Sequence, residues 1–171
     1  MTSTTKVVER REAPSSTPSD LDSTSDKEVT DALNALLADV FTLYIKTKTF
    51  QWHISATDFR DYRLLLVEHG EQLIAITDDI AERIRKLGGT TIRSIGQIAR
   101  LQRIPDNAAE RVTTADMLRE LRENENILVL AMRAAHAQCD NAGDRATASL
   151  LEYCIDDSLR RGWFLFQLTK A

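Results

Sequence analysis

Two carboxylates, Asp78 and Glu82, stand four residues apart in a segment with helical periodicity, so they share one helix face. Carboxylates on one face repel each other unless a cation lies between them. Such a pair can supply half of a divalent-metal site. The alternative is a solvated face carrying Asp79–Arg83 and Glu82–Lys86 ion pairs. Fifteen residues upstream of Asp78 stands Arg63, on a row with Gly70, Thr77 and Ile84 that reads as an apolar stripe. A charge on such a stripe is costly unless it is paired. The three histidines, His53, His69 and His136, have no second histidine at i+3 or i+4. No helical imidazole pair can therefore hold a metal, and each reads as a surface or boundary residue. No Ser–His–Asp triad, Cys-x-x-Cys motif or glycine-rich phosphate loop is present.

The elements that must position these groups are helices. Val29, Leu33, Leu36, Val40, Leu43, Thr47 and Phe50 recur at alternating steps of four and three, the spacing of a bundle seam. They predict a first helix from about Ser25–Asp26 to about Ile54, flanked by a stripe of Leu37, Tyr44 and Gln51. A second helix follows the cap candidates Thr57 and Asp58. It carries Phe59, Leu66, Leu73 and Ile80 at sevens and ends at Gly88-Gly89. The segment "TTIRSIGQIARLQRI" predicts a short helix in a long connection, closed by Pro105. Thr113 with Asp116 resembles a capping box, opening a third long helix through Leu121, Leu128, Ala131 and Ala135 to Cys139. After the turn "CDNAGD", a fourth long helix carries Leu150, Leu151, Cys154, Ile155, Leu159, Trp163, Phe164 and Phe166. Trp52 and Trp163 read as core anchors. The long link between the second and third long helices lets them run the same way, a ferritin-like crossover.

Composition agrees with an all-α fold. The chain has 171 residues, 43% apolar, with only six glycines and three prolines. Net charge is −4, which neither advertises nor excludes nucleic acid. Residues 1–26, rich in Ser and Thr with two of the prolines, cannot bury enough surface to order themselves and are expected to form a disordered tail. The domain proper is expected over residues 27–171. Over residues 1–28, four basic residues face six acidic ones. Only Lys6, Arg10 and Arg11 form a local knot that could weakly favour a DNA phosphate. Cys139 and Cys154 are expected to be reduced core or boundary residues of a cytoplasmic chain. No segment approaches the roughly 20 apolar residues of a membrane span.

The runs "KTKTFQWHISATDFRDYRLLLVEH", "DDIAERIRKLGGTTIRSIGQIARLQRI" and "GDRATASLLEYCIDDSLRRGWFLF" resemble the Dps proteins, the mini-ferritins named for starved cells. The likeness covers roughly residues 28–168, and Ile80 to Gly89 is its most specific part. It implies a homododecameric cage of four-helix bundles that binds and stores iron under stress, acts as a ferroxidase and often shields DNA at the bacterial nucleoid. It also implies that the ferroxidase centre lies between two-fold mates. One subunit gives a histidine before the first-helix tryptophan, a histidine twelve residues later and a carboxylate four beyond. The mate gives two carboxylates from further along the second helix.

Mapped onto this chain, the first three positions are Gln51, Arg63 and Val67, while the mate's pair survives as Asp78 and Glu82. Ala56 replaces the family's glycine after the first helix. Three of five expected ligands are missing, all from one half. This predicts a degraded ferroxidase centre in which Arg63 occupies the cation's place and forks onto the mate's carboxylates. An unpaired Arg63 reaching to solvent is the alternative. The functional expectation is an iron-binding cage whose oxidation chemistry is in doubt. The alternatives are a non-catalytic cage, which could co-assemble with an active relative, and a DNA-condensing protein without iron oxidation.

Overall fold

The computed structural model describes residues 23–55 and 59–169. Of the expected tail over residues 1–26, residues 1–22 lie outside them, as do the cap candidates Thr57 and Asp58, while residues 23–26 are not tail but the first turn of a helix. Five helices follow in order: α1 (Ser23–His53), α2 (Phe59–Lys86), α3 (Ile95–Leu101), α4 (Thr114–Ala142) and α5 (Arg145–Leu168). Among the described residues there is no strand. Helix α1 begins at Ser23, a little before the expected start.

The seam of α1 is buried throughout, from Val29 to Phe50. Opposite it lie Leu66, Leu73, Ile80 and Ile84 of α2, Leu121 and Leu128 of α4, and Leu151 and Cys154 of α5. Burying a large aliphatic side chain contributes about 1.5–3 kcal/mol, so this seam sets the fold. The stops are local. Gly88 takes φ 79°, and the Gly89 N–H returns to the Ile84 carbonyl at 3.0 Å, a C-terminal cap that a left-handed glycine favours. Gly89 also lies against α1, where a Cβ would meet Thr30 Cγ2 at 2.7 Å. At the start of α4 the Thr113 hydroxyl accepts the Asp116 N–H, as the sequence predicts.

The long connection is latched to α1 by buried charges. Asp39 accepts the Ile104 N–H and both the N–H and guanidinium of Arg103. Lys46 donates to the Pro105 carbonyl at 2.5 Å and to Asn124 at 2.8 Å, and pairs with Glu120 at 2.7 Å. Thr114 donates to the Ser55 carbonyl at 2.9 Å, setting the start of α4 beside the end of α1. These bonds hold α2 and α4 in the same direction across the crossover.

Three expectations are corrected. Trp52 and Trp163 are not core anchors, being 64% and 54% exposed. Each sits on the outer side of its helix, away from the core of its own bundle. Arg63 does not share the burial of its row. Gly70, Thr77 and Ile84 are buried, but Arg63 lies near the start of α2 and is exposed. His69 is no surface residue. It is 3% exposed, because it falls on the row Leu66, His69, Leu73, Ile76, Ile80 that faces the bundle interior.

Burial, reinforced by the charges of Arg161 and Arg160, lowers the His69 pKa to about 3. The folded chain therefore keeps this ring neutral, whereas the unfolded chain protonates it below about pH 6.5. Stability is fully present above about pH 6.5 and falls as pH drops towards about 3. The slope is about 1.4 kcal/mol per pH unit from this group. Acid titration of the thermal midpoint is expected to show this slope in the parent and to lose it in His69→Leu. An unchanged slope in the variant would assign the acid sensitivity elsewhere.

Candidate metal centre

Gln51 closes the last full turn of α1 and is buried. Its Oε1 accepts from Lys48 Nζ at 2.5 Å. Lys48 lies across the α1–α2 contact, where a Cβ on Gly70 would meet its Cδ at 3.3 Å. The small residue at position 70 thus makes room for a lysine stem that carries an ammonium to Gln51. Val67, half-buried, offers no donor atom. Arg63, one turn earlier on the same helix, has no carboxylate partner among the described residues. The positions where the resemblance implies imidazole and carboxylate carry an amide engaged by a lysine, a guanidinium and an aliphatic side chain.

The other half is intact in kind. Asp78 and Glu82 project from an exposed face of α2, lining a shallow pocket with Ala81, Arg85, Lys86 and Thr91. Of the two local ion pairs considered from sequence, Glu82–Lys86 forms at 3.1 Å between two exposed side chains. Arg83 turns away from Asp79 and joins Asp144 at 2.6 Å and the Thr147 hydroxyl at 2.6 Å. Asp78 has no cation partner among the described residues.

One chain cannot bring these halves together. The fifteen residues from Arg63 to Asp78 span about 22 Å of helix. A second α2 packed antiparallel would superimpose them, with the two-fold axis near Gly70 and Glu71. Leu64 and Ile74 of α2 and Ile45 of α1 are exposed. An apolar groove of about 600 Å³ runs between α1 and α3, lined by Phe41, Tyr44, Ile45, Phe50, Ile95 and Ile98. Apolar surface of this extent marks a contact face.

No group of three or more His, Cys, Asp or Glu side chains among the described residues could hold a metal ion. His136 bridges Asp140 and Glu152 at 3.3 and 3.2 Å, remote in sequence from this centre. Cys139 and Cys154 are free and buried. Burial, seconded by nearby carboxylates, raises both thiols to about 11, which leaves them poor nucleophiles. The DNA candidates Lys6, Arg10 and Arg11 lie outside the described residues. Among the described residues no helix is long and apolar enough to cross a membrane. Lys48 is the functional candidate that sequence reasoning missed. Its i, i+3 spacing to Gln51 was the available signal.

A bundle of four long helices with a long crossover connection has the form of a ferritin-like protein, and the profile of the ferritin-like domain matches residues 30–170. Within that class the chain belongs to the Dps family. It is 32% identical to a Halobacterium salinarum DNA protection during starvation protein over 134 residues, covering 77% of this chain and 72% of the relative. It is 30% identical to an uncharacterised low temperature-induced protein of Nostoc over 138 residues, covering 80% and 77%. The crystal structure of an archaeal Dps homologue from Halobacterium salinarum superimposes with a TM-score of 0.86 at 26% identity, covering 94% of this chain and 91% of that one.

Proposed function

We propose that this protein is a Dps-type cage subunit whose two-fold centre has exchanged metal coordination for ion pairing. The observation that carries this reading is Arg63, an exposed permanent cation without a carboxylate partner among the described residues, at the position where the resemblance implies a ligand. Two positive groups, Arg63 and Lys48, stand on one half, and two carboxylates, Asp78 and Glu82, on the other. In the antiparallel pair of α2 helices they neutralise each other, and a guanidinium can fork onto a carboxylate. Iron, as substrate or cargo, does not fit the first half. Divalent iron favours imidazole and carboxylate, whereas Arg63 repels it, Val67 cannot bind it and Gln51 is engaged by Lys48. The cage therefore serves binding, storage and protection without oxidising iron at this centre. It could take up iron oxidised elsewhere or co-assemble with an active relative. DNA shielding, for which the relatives are named, would rest on the short knot Lys6, Arg10 and Arg11 and would be weak and salt-sensitive.

Ferrous iron mixed with the assembled protein and oxygen or peroxide is expected to oxidise no faster than in buffer. Gln51→His, Arg63→His and Val67→Asp together are expected to restore binding of iron, seen as anomalous scattering beside Asp78 and Glu82, while each change alone does not. A saturable oxidation burst in the parent would overturn the reading.

A further inference from the structure

The interior of the bundle carries a second polar constellation, unrelated to the two-fold centre. Arg161 of α5 is 1% exposed. Its Nε and Nη2 fork onto Glu125 of α4 at 2.6 and 3.0 Å, and Nη2 also donates to the Ser158 hydroxyl at 3.1 Å. Ser158 in turn donates to Glu125 at 2.5 Å. One nitrogen of the guanidinium, Nη1, has no partner among the described residues. Among the described residues only two other buried side-chain atoms share that condition, His69 Nε2 and Gln72 Oε1, both on α2.

The register of α2 against α5 sets these three at one level. Arg83 bonds Asp144 and Thr147 at one end of the pair. Tyr62 and Leu168 line one pocket at the other. The helices are therefore antiparallel. Counting fourteen residues back from Arg83 gives His69, and fourteen on from Thr147 gives Arg161. Fourteen residues is close to four whole turns, so both side chains keep the facing side. Gln72, one turn from His69, comes level with Ser158.

The hydrogen-bonding sense of each atom selects the ligand. Arg161 Nη1 can only donate. Gln72 Nε2 donates to Glu68 Oε1 at 3.0 Å, which fixes the amide with its carbonyl oxygen inward as an acceptor. The His69 ring is neutral, and the tautomer with its proton on Nδ1 leaves Nε2 to accept. A simple anion would find one donor and a carbonyl dipole turned against it. A metal cation would lie beside a guanidinium. A molecule that accepts once and donates twice satisfies all three groups.

We propose that His69, Gln72 and Arg161 form an internal binding site for a single water molecule that fastens α2 to α5. The water accepts from Arg161 Nη1 and donates to His69 Nε2 and Gln72 Oε1. Three bonds is the usual complement of a buried structural water. Without it, three buried polar atoms would each carry a desolvation cost.

The test is a crystal structure of the full-length assembled protein, with neutron data from a deuterium-exchanged crystal and a parallel bromide soak. The expected result is one ordered water within hydrogen-bond distance of all three atoms. Deuterium is expected on His69 Nδ1 and absent from Nε2, with no anomalous bromide peak. In Gln72→Leu the water peak is expected to be lost, with the Arg161–Glu125 fork unchanged. A site without density, a bromide peak, or direct contact between His69 and Arg161 would each overturn the proposal.

Discussion

Arg63→Ala is expected to loosen the two-fold contact and lower the thermal midpoint of the assembly. Within one subunit this side chain is exposed and has no carboxylate partner among the described residues, so its removal should cost an isolated subunit very little. In the proposed antiparallel α2 pair it would face Asp78 and Glu82, and two-fold symmetry would place the substitution at both ends of the contact. Removing one partner of a desolvated ion pair typically costs about 3–5 kcal/mol, since the remaining charge is left buried. Light scattering at micromolar concentration should therefore find the parent as a closed dodecamer and the variant shifted to smaller species. Added divalent metal is expected to restore part of the midpoint, because the freed carboxylates again need a cation. Arg63→Lys should retain charge but not the forked geometry, and should fall between parent and alanine. A variant cage as stable as the parent and indifferent to metal would show that Arg63 is solvated. Lys48→Met distinguishes a second contribution. If Lys48 supplies the other positive charge, its loss should add to that of Arg63 in low salt and fade as salt rises.

The fold was legible because a long helix repeats its packing rule many times. Every residue picked out by the alternating steps of four and three along α1 is buried, and Gly88-Gly89 and Thr113 marked ends by chemistry that needs no tertiary context. Periodicity cannot say whether an apolar face meets its own chain or another. Trp52, Trp163, Ile45 and Leu64 have the composition of core residues and lie on the outside. The misreading of Trp52 and Trp163 as core anchors follows from that limit. The same limit governs the centre. Spacing placed Asp78 and Glu82 on one face, and the resemblance placed Gln51, Arg63 and Val67 opposite them. Only the structure shows Lys48 engaged with Gln51. The buried polar residues were legible in principle. His69, Glu125, Ser158 and Arg161 each stand on a three-and-four apolar row of their own helix. A polar residue there is either an error of reading or a buried partner.

That last group carries the second large expected effect. Arg161 and Glu125 are 1% and 2% exposed, so neither can return to water when its partner is removed. Arg161→Met is expected to destabilise the subunit by about 3–5 kcal/mol, because the Glu125 carboxylate stays buried with only the Ser158 hydroxyl to receive. Glu125→Leu alone should cost a similar amount by stranding the guanidinium. The double variant is expected to recover most of the loss and can exceed the parent. Two methylene-rich side chains fill the space, and the desolvation of two ions is no longer required. The check is the thermal midpoint at fixed subunit concentration, since assembly contributes to the apparent stability. Recovery in the double variant would identify the pair as a device for helix register: Arg161 and Glu125 tie α5 to α4 at one level, and Arg83 with Thr147 ties it to α2 at another. A double variant as unstable as either single one would instead mean that the interior requires a charge at this level, since His69 and Gln72 also turn buried polar atoms inward there.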